Sequence, residues 1–212
     1  MLAPFPSDTQ LHVRHAIRLK GLAATAAIVA ATRLDEATVV AGVDALAALG
    51  HVTERTGVLT GWALTPEGRE AHARAIRAEV AQSGRAADVE DAYRRFLSLN
   101  GTMLALCTDW QLRDGAVNDH TDHGYDAAVL DRLRLLDGEL RPVLVDLAAA
   151  FERFGSYLAR VAAALDHIDH GDHDWFTRPV IDSYHTIWFE LHEDLLATLG
   201  IARASESGST PA

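Results

Sequence analysis

The spacing of apolar residues changes character along the chain. From His12 to Lys20, Val13, Ile17 and Leu19 are available for a core while Arg14, Arg18 and Lys20 lie outside, which predicts a short helix ended by Gly21. Ala23 to Ala31 predicts an alanine-rich second helix with Ile28 and Val29 as its bulky members. A turn, Thr32-Arg33-Leu34, follows, and Asp35 is placed to cap a third helix. In that helix Val39, Val43, Leu46 and Leu49 recur at helical spacing, with Gly50 placed just past its end. The period then changes. HVTER (51–55) and VLTGWALT (58–65) predict two strands joined near Thr56-Gly57. Thr65-Pro66-Glu67 combines a cap, a proline at the first helical position and an acid in the first turn, and predicts a helix to about Ala81.

Gln82-Ser83-Gly84-Arg85 is polar and interrupts the pattern, which places a domain boundary there. From Asp88 to Ser205 the pattern is helical, without a convincing strand. Segments of about 88–113, 124–150, 153–170 and 179–199 are separated by turn signals at Asn118-Asp119, Phe151 and Gly171-Asp172, with Phe151 to Gly155 readable as a kink. Four antiparallel helices would bury a core by packing their apolar stripes. The expected fold is mainly α: three helices, a two-stranded wing and a linking helix over 1–83, then a helical bundle over 84–203. A disordered tail is expected over 204–212.

Charge sharpens that division. Residues 1–83 hold equal numbers of cations and anions, so the whole net charge of −11 lies beyond them. The acidic part should repel nucleic acid; the neutral part need not. Lys20 is the only lysine. Cys107 is the only cysteine, which excludes an internal disulfide, and no apolar run approaches the ~20 residues of a membrane span. The N-terminus lacks the basic and apolar regions of a signal peptide, so a cytoplasmic protein is expected.

Helix, helix, turn, helix, wing, helix is the winged helix-turn-helix order. TRLDEATVVAGVDALAALGHV (32–52) and GWALTPEGREA (61–71) resemble MarR-like and PadR-like winged-helix domains over roughly residues 11–81. That resemblance implies a transcriptional regulator, a homodimer, whose third helix enters the major groove. Thr38 would then read bases, and Arg33, Arg55, Arg14 and Arg18 would hold phosphates. The third helix departs from such a reader: besides Thr38 its presumed reading face offers Glu36, Ala37, Ala41 and Gly42. Winged helices also serve as protein-interaction modules, so an adaptor that docks a partner enzyme stands beside the DNA reading.

There is no Walker loop, no GxGxxG and no serine nucleophile elbow, and no catalytic residue is assigned. Histidine and aspartate are dense in DHIDHGDHDW (166–175) and NDHTDHGYD (118–126), a mixture suited to metals, although helix ends also favour it. DSYHTIWFELHEDLL (182–196) begins like a zinc protease helix, but Leu196 stands where its second histidine is required. On a helical wheel Tyr184, Ile187, Trp188, Leu191, Leu195 and Leu199 share one arc, and His185 and His192 fall inside the apolar side. Ser183, Thr186, Glu190 and Asp194 make the polar face. The two histidines lie about 10 Å apart along the axis, too far to close one tetrahedral site easily. Three arrangements are open for them: pairing with a carboxylate, a metal, or a small-molecule effector pocket of His185, Trp188, His192, Trp110 and Asp109. CTDWQ (107–111), NDHTDHGYDAAVLDRL (118–133) and the 172–201 segment also resemble a helical region of actinobacterial winged-helix proteins, some linked to phosphoenolpyruvate-utilising dikinases; that resemblance carries over no site residue.

Overall fold

Helix ends are set by individual caps. In the computed structural model, which describes residues 3–202, the Asp8 carboxylate accepts from the Leu11 N–H at 3.0 Å and opens α1 (Thr9–Lys20), three residues earlier than the periodicity suggests. Gly21, at φ 71°, closes it. The second helix, α2 (Thr25–Thr32), starts later than expected. Ala23 does not belong to it: its backbone exchanges hydrogen bonds of 3.0 and 2.8 Å with Trp62. Asp35 caps α3 (Glu36–Ala48), accepting from the Thr38 N–H at 2.9 Å. Val39, Val43 and Leu46 are buried, but Leu49 is the C-cap and 58% exposed, so the helical repeat stops one turn short of its expected last member.

Strands β1 (Val52–Arg55) and β2 (Gly61–Leu64) pair antiparallel, Val52 opposite Leu64. Thr65 caps α4 (Pro66–Ser83) by accepting from the Gly68 N–H at 3.0 Å, with Pro66 as its first residue. Gly84, in the left-handed region, ends α4 just before α5 (Ala86–Gln111).

Next, α5 runs antiparallel to α6 (His123–Ala150), as ion pairs at both ends show: Arg95 with Asp146 and Asp109 with Arg132, each at 2.6 Å. Between them lies a small hairpin, β3 (Leu112–Arg113) and β4 (Ala116–Val117), where no strand was expected. Two-residue strands are too short to show alternation; the signal was the turn, Asp114-Gly115, whose φ angles of 52° and 81° are those of a tight hairpin. Phe151 is an extended break, held by backbone bonds of 3.0 Å between Phe5 and its two neighbours Ala150 and Glu152. A 3-10 turn (Glu152–Phe154) then leads into α7 (Gly155–Asp169), α8 (Asp174–Thr177) and α9 (Tyr184–Leu199). The expected tail, 204–212, falls outside the described residues.

Two apolar clusters result. One gathers Val13, Ile17, Ile28, Val39, Val43 and Leu46. The other gathers Phe96, Leu133, Leu140, Phe154, Tyr184 and Leu191 among others. Helices α1 and α4 pack directly on α9 and so join the N-terminal half to the helical half.

Gly68 marks the tightest approach in the N-terminal half: a Cβ there would stand 1.9 Å from the His51 carbonyl oxygen. Gly68→Ala is expected to cost roughly 1–3 kcal/mol and lower Tm by several degrees. Gly101→Ala, in open space on α5, is expected to leave Tm unchanged or raise it. Thermal unfolding followed by circular dichroism compares the two.

Candidate functional site

The outward face of α3 carries Glu36, Ala37, Val40, Ala41 and Asp44. Beside it Leu49 is exposed, and the loop between β1 and β2 presents Val58 and Leu59, both strongly exposed. The Thr38 hydroxyl donates to Asp35 at 2.7 Å and is part of the cap. The guanidinium groups of Arg33 and Arg55 are exposed, and no hydrogen bond or ion pair among the described residues uses them.

The expected cations of α1 are elsewhere. Arg14 is buried, with Nη1 3.4 Å from His51 Nδ1, and burial lowers its pKa. Arg18 lies 3.7 Å from Glu193 of α9. Lys20 donates to Glu190 at 2.8 Å and to Asp182 at 3.4 Å. The expectation that all three point outward is corrected for Arg14 and Lys20, which α4 and α9 cover, while Arg18 keeps 37% of its side chain exposed.

The same correction applies to α9. Its wheel puts Glu190 and Asp194 on a wet face, but they are 4% and 1% exposed. Ser183 is the N-cap, accepting from the Thr186 N–H at 3.3 Å, and Asp182 precedes the helix. What the wheel reads as a polar face is an internal seam of charge. At its centre stands Arg153, fully buried, whose Nε donates to Glu79 at 3.0 Å and whose Nη2 donates to Thr198 at 2.6 Å. Its Nη1 donates to Asp194. The same carboxylate takes His15 Nε2 at 2.9 Å and the Tyr157 hydroxyl at 3.1 Å. Behind His15, Nδ1 meets His72 Nε2 at 2.8 Å, the rings stacked at 5.1 Å. A second group repeats the pattern: Arg160 donates to Asp182 at 2.7 Å and to Glu190 at 2.6 Å, where Lys20 also arrives.

Electrostatics follow from burial. Desolvation alone would raise the Asp194 pKa; Arg153 and His15 outweigh it and pull the carboxyl below its usual range. Burial, reinforced by the neighbouring cationic groups, pushes His72 down to about 2 and His12 down to about 4, so both are neutral at pH 7. Burial raises the Cys107 thiol to about 11, which leaves it unreactive.

The five residues expected to line one effector pocket fall into two neighbourhoods. Trp188 donates to Asn100 at 3.0 Å and packs on Phe96 at 4.7 Å, where His192 also packs at 5.3 Å. His185 is half-buried, and burial lowers its pKa. Trp110 instead packs against His120 at 4.5 Å and His173 at 5.4 Å, while the Asp109 carboxylate takes Arg132. The histidine clusters are engaged too: His120 Nδ1 lies 3.0 Å from Asp126, His167 stacks on Trp175 at 3.9 Å, and His170 Nδ1 contacts the Asp166 carbonyl at 2.8 Å. Among the described residues no three His, Cys, Asp or Glu side chains gather so as to hold a metal ion. No helix among them is long and apolar enough to cross a membrane.

Sequence reasoning missed Arg153, His15, His72 and Glu79. The available signal was an arginine flanked by phenylalanines in FERF (151–154). No protein-family model, curated protein or solved structure matches this chain.

The two depressed histidines fix a pH dependence. In the unfolded chain they protonate near pH 6.5 and in the folded chain only below about 4, so the unfolded state takes up protons first as pH falls. Stability is complete above about pH 6.5 and declines from there, the His12 contribution to about pH 4 and that of His72 to about pH 2. His12 alone should lower the unfolding free energy by about 2 kcal/mol between pH 7 and pH 5. Urea unfolding at the two pH values measures it, and His12→Asn should reduce the dependence while leaving the His72 part.

Proposed function

We propose that this chain is a winged-helix adaptor: a winged helix-turn-helix unit, fixed on a helical bundle, that docks a partner protein through α3 and the wing. The observation that carries this reading is the outward face of α3, which pairs Val40, Ala37 and Ala41 with two carboxylates, Glu36 and Asp44, and has no cation. A duplex would meet negative charge at the position where a reading helix offers donors. An apolar protein surface rimmed by basic side chains would meet a complementary one. Leu49 at the end of α3, and Val58 and Leu59 in the loop between β1 and β2, add exposed apolar side chains. The two α1 arginines support the same reading: Arg14 is buried and Arg18 lies against Glu193, so two of the four contacts expected with a phosphate backbone are weakened.

The free guanidinium groups of Arg33 and Arg55 favour a second reading, a dimeric transcriptional regulator that holds DNA weakly on either side of α3. Two measurements separate the readings. The adaptor should show no binding to mixed-sequence or own-promoter duplexes at low salt, and Val40→Asp with Leu59→Asp should abolish retention of a partner that co-purifies with the wild type. Tight duplex binding that disappears in Arg33→Gln with Arg55→Gln would instead establish the regulator.

A further inference from the structure

Behind the turn that precedes α3, the two halves leave a recess of about 380 Å³. That volume is within the range of small-molecule sites. One wall comes from the N-terminal half, with Thr9 and His12 on α1 and Arg33 in the turn. The other comes from the helical half, with Glu152, Arg153 and Ser156. An adjoining cavity of about 20 Å³ shares His12, Arg153 and Ser156 with it and has room for about one water molecule.

The charges along these walls are unevenly committed. Arg153 is already answered by Glu79 and Asp194. Arg33 and Glu152 are not: no ion pair among the described residues uses either, and they do not pair with each other. The recess therefore presents one uncommitted cation and one uncommitted anion, contributed from opposite walls. Ser156 adds a polar group to the same lining. It is only 6% exposed, yet no hydrogen bond among the described residues engages its hydroxyl, and it lines both cavities. That hydroxyl keeps contact with the recess and can serve a polar ligand atom. The His12 imidazole has no hydrogen bond among the described residues, and in its neutral form it offers one donor and one acceptor.

We propose that this recess binds a small zwitterion of the α-amino-acid class, its carboxylate at Arg33 and its ammonium at Glu152, with Ser156 and His12 completing the hydrogen bonds. A simple anion would be opposed by Glu152 and a simple cation by Arg33. Only a ligand that carries both charges uses both groups, and the mismatched charge rejects the rest. Leu34 supplies an apolar surface for the ligand's side chain. Because Arg33 leads into α3, occupancy would fasten that turn to the helical half.

Thermal shift of the full chain with each of the twenty standard L-amino acids tests this, with acetate and ethylammonium as single-charge probes. At least one amino acid should raise Tm by several degrees, and the single-charge probes should not. Arg33→Gln and Glu152→Gln should each weaken the titrated affinity at least tenfold without moving the ligand-free Tm, since both side chains are exposed. Ser156→Ala should weaken it severalfold. The proposal is overturned if no amino acid shifts Tm, if acetate protects as well as the amino acid, or if Glu152→Gln keeps full affinity.

Discussion

Arg153 is a guanidinium with 1% of its side chain exposed, set 4.4 Å from the Phe154 ring centre and 5.3 Å from that of Phe151. A charge removed from water in this way is tolerable only when it is paired and its donors are filled. One carboxylate comes from α4, Glu79, and the other from α9, Asp194. His15 of α1 closes on the same Asp194. The Arg153–Glu79 and His15–Asp194 contacts therefore exist only while the N-terminal half is docked on the helical half. Lys20 imposes the same condition a short distance away, where it reaches Glu190 and Asp182 beside Arg160. Apolar contact alone would allow the halves to slide; a buried charge lattice admits one arrangement.

That constraint decides what the surface can do. The lattice and its surroundings engage the cations that a nucleic-acid interface on α1 would need, and they leave α3 with an apolar and acidic outer face. Arg33 is the exception. It stands at the edge of the α3 face and at the mouth of the recess between the halves, so a ligand there and a partner on α3 would act on the same short turn.

Much of the local structure is legible in the sequence because caps are local. Asp35, Thr65, Gly21 and Gly50 mark their helix ends from residue type and neighbours alone. The failures share a cause. A helical wheel says which residues of α9 share a face, not what covers that face, so Glu190 and Asp194 read as wet when three other elements bring cations to them. Arg14 and Lys20 were misplaced for the same reason. Ala23 was read as helix because a single bridge to Trp62 leaves no periodic trace. Of the candidate site, Arg33 and Arg55 are legible as free cations next to the third helix. The partners of Arg153 are not, since they lie 74 and 41 residues away along the chain.

The central claim is that the buried pairing around Arg153 makes the two halves one cooperative unit. Hydrogen–deuterium exchange resolved by peptide tests it most directly, comparing wild type with Arg153→Met at pH 7. In the wild type, amides of α1 and α3 should reach the same limiting protection as those of α5 and α6. In the variant, which leaves Asp194 and Glu79 buried without their cation, α1 and α3 should exchange well before α5 and α6. Coincident protection of all four helices in the variant would contradict the account.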